Sequence, residues 1–426
     1  MVGRRKPRLS ALLLASAALP TWGWQPDPDY LKRGETVFQA HLRRALPFYL
    51  GPGVHLGGFM LYPQLQVSEL YDSNIFADDG NTKDSAITQV NPELKLHSLW
   101  GRHSLQLTAG ANIGRYHDSR HGPTLDFEDY YFGGGGRLDI TRSLQFHLNI
   151  DYQRLHETPG TPDTVVGKRV TEYHHVRTEG RLRFKPNRLG IQLFGRHTYL
   201  DFSDTPTSGP RSINNDDRDR HLFEGGGRIS YDLFPGYAAF VEGSYNVRRY
   251  DRRPDDFGLD RNSSGWRFRG GVRLDITALI VGELYAGYLS QDYEDRRLDT
   301  IRGVDGGLRL FWTPTQLTTV IPYVERTVRE TILLGSPGSL TLRAGFDVQH
   351  ELRRNCLLAG GFGYLNQDYE NIDRNDNYFY ANVGVQYFFT PRLFGQLGYR
   401  FQRRESNVHQ ADFTRHVGMV RFGLRF

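Results

Sequence analysis

The last twelve residues, Arg415-His416-Val417-Gly418-Met419-Val420-Arg421-Phe422-Gly423-Leu424-Arg425-Phe426, alternate along the chain and stop on an aromatic. Gly418, Val420, Phe422 and Leu424 fall on one phase; Met419, Arg421, Gly423 and Arg425 fall on the other. Side chains on a strand alternate between its two faces, so this segment shows one apolar face and one charged face. A strand with lipid on one side and a wet interior on the other reads this way.

The N-terminus fits the same compartment. Arg4, Arg5, Lys6 and Arg8 precede an apolar run from Leu9 to Leu19 and the small residues Ala15-Ser16-Ala17-Ala18. That is the form of a secretory signal, and the run is too short to cross a bilayer as a helix, which takes about 20 apolar residues. Residues 1–23 are read as a signal peptide cleaved between Ala17 and Trp24. No cysteine lies there, so no lipoprotein anchor is expected. At the other end Phe422, Leu424 and Phe426 resemble the assembly signal of bacterial outer-membrane barrels, which makes the barrel-assembly machinery an expected partner.

Composition narrows the function. The excess of 53 Lys+Arg over 48 Asp+Glu lies mostly in the signal, and the remainder is nearly neutral. A nucleic-acid surface would show a concentrated basic excess, so no such partner is expected. Cys356 is the single cysteine, which excludes an internal disulfide and a cysteine-based metal site. Mean hydropathy is −0.54, a value a barrel tolerates because only alternate strand residues meet lipid.

Residues 24–52 form a polar, Pro-containing segment, read as a periplasmic extension or one that enters the lumen, in which Leu31, Phe38 and Leu42 share the face of a short helix. From residue 53 to 426 alternating segments recur. In Ala86–His97, Thr88, Val90, Pro92, Leu94 and Leu96 oppose Gln89, Asn91, Glu93, Lys95 and His97. Ser143–Tyr152 and Leu340–Gln349 repeat the pattern. Short connections near Leu99-Trp100-Gly101, Thr141-Arg142, Pro186-Asn187, Phe234-Pro235-Gly236, Thr277-Ala278, Thr313-Pro314, Arg353-Arg354 and Thr390-Pro391 alternate with longer polar stretches. Those longer stretches include Tyr71–Ser85, Glu157–Lys168, Ser203–Arg218 and Asp251–Gly265. The fold class is therefore all-β: a transmembrane antiparallel outer-membrane β-barrel of about 18 strands, with short periplasmic turns and longer external loops. Repeated hairpin ends, Arg137-Leu138-Asp139-Ile140-Thr141 and Arg273-Leu274-Asp275-Ile276-Thr277, agree. So do Gly287–Glu294 and Gly363–Glu370.

No G-x-S-x-G, H-E-x-x-H, P-loop or dinucleotide-binding glycine motif is present, so no enzyme and no cofactor is expected. Asp78-Asp79-Gly80-Asn81 and Asp260-Arg261-Asn262 carry oxygen ligands without the spacing of a calcium loop and read as solvated turns; no metal is expected. The informative set is inward arginine. Arg137, Arg183, Arg228, Arg273 and Arg309 sit on the polar phase of strands descending to tight turns, and read as a ring near the periplasmic mouth. Arg343, Arg400, Arg421 and Arg425 share the face. Such a ring favours anionic solutes. Asp139, Asp151, Asp232, Asp275, Glu283, Asp305, Glu325 and Asp347 occupy the same phase, so a purely structural ion-pair network is an equal reading.

At the end of the first long strand, Glu69-Leu70-Tyr71-Asp72-Ser73-Asn74-Ile75-Phe76 resembles the Y-D-x-N-I-F feature of the β-barrel porin type 2 family. The two Gly-Tyr-Leu-x-Gln-Asp-Tyr-Glu segments and Tyr323–Thr331 are also similar to it. The resemblance covers about residues 54–426 and supplies no catalytic residues. It implies an outer-membrane location and a part in polysaccharide export, with lipopolysaccharide, an exopolysaccharide or capsule polymer, and periplasmic export proteins as partners. Strand count and inward arginine are also similar to the alginate exporters, by analogy of fold alone. The resulting expectation is an outer-membrane channel exporting an anionic polysaccharide through an arginine-lined lumen. The alternatives are a general or nutrient-uptake porin, whose long loops narrow the pore, and a closed barrel that scaffolds an export complex.

Overall fold

A computed structural model describes residues 51–117, 124–160, 164, 167–207, 210, 212–276, 279–329, 331, 333 and 335–426. The expected signal and all but the last two residues of the 24–52 segment lie outside the described residues. Eighteen long strands form the wall. They are β1 (Phe59–Asp72), β2 (Ser85–Ser98), β3 (Ser104–Tyr116), β4 (Phe127–Asp139), β5 (Leu144–His156) and β6 (Glu172–Phe184). Then come β7 (Leu189–Phe202), β8 (Arg220–Phe234), β9 (Tyr237–Tyr250), β10 (Ser263–Ile276), β11 (Ile280–Tyr293) and β12 (Ile301–Thr315). The last are β13 (Thr318–Arg329), β14 (Ser339–Arg353), β15 (Cys356–Tyr369), β16 (Asn375–Phe388), β17 (Leu393–Ser406) and β18 (Phe413–Arg425). Every strand pairs antiparallel with its neighbours in sequence.

The sheet closes on itself where β1 meets β18, from Gln64↔Arg425 to Asp72↔Val417. Closure removes the open edges that an isolated sheet would expose, and in lipid it leaves no unpaired backbone. Below Gln64 β18 no longer covers β1, and the short strand Val54–Leu56 pairs there with Phe59–Leu61 instead. Phe426 N–H donates to the Pro63 carbonyl at 3.0 Å and finishes the ladder. Phe422 and Leu424 face outward as the alternation predicts, 57% and 38% exposed, while Arg421 and Arg425 are buried on the inner face.

The strands are staggered as well as closed. A hydrogen-bonded row starting low on β1 at Gln64 runs through Glu93, Gly110, Tyr131, Gln153, His175, Leu200 and Arg220, and reaches the top of β9 at Tyr250. Strand tilt of roughly 35–45° produces this climb, so residues of one row do not share one depth.

Connections alternate long and short as the sequence suggests, with one correction. Thr313-Pro314 is not a turn: β12 continues to Thr315 and reverses at Gln316-Leu317. Proline is tolerated there because the β12–β13 register slips between Trp312 and Thr315, where Pro314 need not donate an N–H to the ladder. Thr277 and Ala278 lie outside the described residues.

Candidate permeation pathway

The inner face of the wall carries arginine and carboxylate in connected groups. Placing a charge there removes it from lipid but not from other charges, so each group must be paired or wet. On β6–β8, Glu179 accepts hydrogen bonds from Arg177 at 2.8 Å and from Arg196 at 3.1 Å, and Arg196 reaches on to Glu224 at 2.7 Å. Arg181 is bonded to the same Glu179. On β8–β12, Arg228 donates to Glu242 at 2.7 Å and to both oxygens of Glu283, at 2.8 and 3.1 Å. Arg269 holds Asp305, and Arg267 lies 3.4 Å from the same carboxylate.

Aromatic rings on the same phase lie close to several of the inner-wall guanidinium groups. Arg228 lies 3.9 Å from the Phe240 ring centre, Arg269 4.6 Å from Tyr285, Arg309 5.2 Å from Phe311 and Arg343 4.6 Å from Tyr323. A desolvated pair of this kind contributes up to about 2 kcal/mol. At the β1–β18 seam Arg421 donates to Ser68 Oγ at 2.7 Å, and Arg425 to the Pro391 carbonyl at 3.0 Å. Arg400, opposite Asn382 on the neighbouring strand, faces the lumen beside them.

The nine arginines read from sequence as inward lie on the phase opposite the lipid-exposed side chains, and the five read as a ring fall in three hydrogen-bonded rows. Arg137 shares its row with His147 and Arg181; Arg183 shares one with Gln192 and Arg228; Arg273 shares one with Glu283 and Arg309. The expected structural network is present too, with Arg137 3.2 Å from Asp139 and Arg228 clamped by two glutamates. Arg273, Asp275 and Asp347 remain exposed on the inner phase, so solvent reaches the periplasmic half of the lumen.

At the external end one loop reaches away from its own strands. The β5–β6 loop crosses from its own strands to the top of β16–β18, where the Gly160 carbonyl accepts from Arg404 at 3.2 Å and from the Tyr378 hydroxyl at 3.5 Å. A Cβ on Gly160 would sit 3.2 Å from both Ala77 and Phe413, at a φ of +116° that L residues rarely adopt. Ile75, Leu125, Phe127 and Val170 form a small apolar cluster that ties the first three external loops together.

The chain matches, over residues 47–426, the family described as "Putative beta-barrel porin 2". It belongs to this porin family. No curated protein matches it. Among solved structures it is similar to Pseudomonas aeruginosa OpdL, with 11% identity over 87% of this chain and 100% of that one, TM-score 0.45. It is also similar to Pseudomonas aeruginosa OpdO, with 12% identity over 86% and 97%, TM-score 0.46. A third likeness is the siderophore receptor PirA from Pseudomonas aeruginosa, with 9% identity over 86% and 80%, TM-score 0.43. The protein is an outer-membrane β-barrel porin.

In this porin the Tyr71–Phe76 motif is a clasp at the seam. Asp72, 1% exposed, takes Arg415 Nε at 2.8 Å and caps the Asn74 N–H at 3.0 Å. Asn74 in turn holds the Asp78 and Thr414 carbonyls at 2.7 and 3.1 Å. The clasp turns the first external loop inward and places Ile75 and Ala77 in the apolar clusters beneath the β5–β6 loop. The two acidic loops are turns: Asp78 Oδ1 accepts from Gly80 and Asn81 N–H, and Asp260 Oδ1 from Asn262 N–H. Among the described residues no cluster of metal-binding side chains exists.

Sequence reading missed Arg177, Arg181, Arg196, Arg267 and Arg269, which sit on the same inner phase. The available signal was spacing by two, as in Arg181-x-Arg183 and Arg267-x-Arg269. The described residues of the Ser203–Arg218 stretch contact the β5–β6 loop rather than the wall at mid-depth: Arg218 bonds Glu157 and Thr205 bonds Thr171 there.

Proposed function

We propose that this porin is a non-enzymatic, anion-preferring channel whose cargo is an anionic exopolysaccharide leaving the cell. One observation carries the reading: guanidinium groups, several close to aromatic rings, line the inner wall from the periplasmic end upward. A planar fork matches carboxylate, and a flat ring offers a stacking face for sugar. Where an arginine already shares a carboxylate, as Arg137 and Arg228 do, a passing anion exchanges partners rather than binding irreversibly, which suits conduction. The wet periplasmic half agrees with entry from the periplasm. Arg137, Arg183, Arg228, Arg273, Arg309, Arg343, Arg400 and Arg421 carry the selectivity in this account.

A nutrient-uptake porin is the second reading, favoured by the β5–β6 loop folded over the mouth. The two separate in a planar bilayer. An exporter's current is blocked by an acidic polysaccharide added on the periplasmic side and is unaffected by neutral dextran of equal size. Equal block by both polymers, or block only from the external side, sinks the export reading.

A further inference from the structure

Arginine is spread unevenly round the wall. On the inner phase of β1–β5 the single arginine is Arg137, whereas β10–β14 carry Arg267, Arg269, Arg273, Arg309, Arg329 and Arg343 there. In a closed wall of 18 strands β1–β5 stand nine strands from β10–β14 in either direction, so the two arcs face each other across the lumen. Amides take the place of arginine on the first arc. Gln66, at mid-strand on β1, is directly opposite Asn91 on β2. Asn91 Nδ2 donates to Asn112 Oδ1 on β3 at 2.6 Å, so three strands share one amide run. Gln64 lies two residues before Gln66, and Gln89 is opposite Ser68 two residues after it. A second pair of amides meets over Gly135 on β4, whose Cβ position would be 2.7 Å from Asn149 Oδ1 and 3.0 Å from Gln106 Nε2.

Acids on this arc already have partners. Glu93 has Lys95 at 2.8 Å and the Tyr131 hydroxyl at 2.7 Å, Asp129 has His156 at 2.8 Å, and Asp139 has Arg137. The glutamines differ. Among the described residues Gln64, Gln66 and Gln89 make no side-chain hydrogen bond, and all three are half-buried on the lumen side. Asn91 Oδ1 has no donor either. A primary amide sets two donors beside an acceptor and carries no charge. A ligand that displaces water from a row of them must offer closely spaced groups that both donate and accept. Vicinal hydroxyls do so; a carboxylate only accepts and leaves the amide oxygens unmet. We infer that Gln64, Gln66, Gln89, Asn91 and Asn112 form a binding face for sugar hydroxyls, across the lumen from the arginine arc. This rests on the proposal of an anionic polysaccharide as cargo and deepens it. Arginine meets the charge, and the amide face separates a sugar polyanion from a polyanion without hydroxyls.

The test is titration calorimetry on the refolded full chain in micelles, with hexagalacturonate and hexaglutamate as probes at one ionic strength. Both carry repeated carboxylates, and only the first carries vicinal hydroxyls. The wild type should bind hexagalacturonate about fivefold more tightly, the worth of one net hydrogen bond. Gln64→Met, Gln66→Met and Gln89→Met together keep side-chain length and remove the amides; heat-modifiable gel migration checks folding. This variant should lose the preference, binding hexagalacturonate about fivefold more weakly and hexaglutamate as before. Gln66→Met alone should show a smaller loss of the same kind, which decides the matter if the triple variant does not fold. Equal loss for both probes, or no loss for either, overturns the face. A wild type that binds neither probe overturns the face and the anionic cargo together. Binding has no direction, so polymer block from the external side alone sinks export and leaves the face standing.

Discussion

At the residue scale the seam depends on one carboxylate. Asp72 is almost fully buried, pairs with Arg415 and caps the loop that follows. Removing one partner of a buried pair leaves a charge uncompensated, at a cost of about 3–5 kcal/mol. Asp72→Ala should lower the urea unfolding midpoint accordingly, whereas Asp78→Ala, in an exposed turn of the same loop, should shift it little. Near-equal midpoints for the two variants would mean the clasp is ornamental. A second residue gives the external loops a pH response. Asp219, at the foot of the β7–β8 loop, is pushed up to about 6 from the usual 3.8, first by burial and then by Asp201 and its neighbours Asp216 and Asp251. The Phe202 N–H, which donates to its carboxylate, pulls the other way. Asp217 beside it is raised as well, by burial and by Asp256 and Asp255. A raised acid favours the folded loop when protonated; that gain is complete below 3.8 and is lost as pH climbs through 6. Hydrogen exchange of amides in 203–219 should therefore speed up across that window beyond the intrinsic pH effect, and Asp219→Asn should flatten the response.

At the element scale the decisive piece is the β5–β6 loop. Its reach depends on Gly160, whose positive φ and close neighbours exclude a side chain, and on Arg404, which holds the Gly160 and Ala411 carbonyls together. Gly160→Val should release the loop from β16–β18 and raise single-channel conductance without changing barrel stability by more than about 1 kcal/mol, because loop contacts lie outside the ladder. Unchanged conductance would place the constriction elsewhere. The strands themselves were legible from sequence because period-two alternation encodes both the element and the side facing lipid; β2, β5 and β14 contain the three segments that alternate most cleanly. Turns were legible where glycine or proline broke the pattern, and misread at Pro314, because a register slip leaves no mark in the sequence. The loop crossing was not legible at all. Contacts such as Gly160 with Arg404 join positions far apart in sequence, and nothing local announces them.

At the scale of the whole molecule, closure and stagger decide what the inward residues can do. Period-two alternation marks which arginines share a face, but which carboxylate each one meets can be read only once the register between strands is known. That pairing ties neighbouring strands together on the inner face, as where Arg196 joins Glu179 to Glu224 and Arg228 joins Glu242 to Glu283. The Tyr71–Phe76 motif, first informative as a mark of family, is physically the clasp that joins the first strand to the last and folds the first loop inward. The account as a whole stands on a wet, arginine-dominated lumen that prefers anions. The most direct test is the reversal potential of the reconstituted barrel under a tenfold KCl gradient. The account predicts a potential displaced toward the chloride equilibrium value, moving toward zero in the Arg183→Gln, Arg273→Gln variant. A potassium-selective or electrically silent barrel would contradict it.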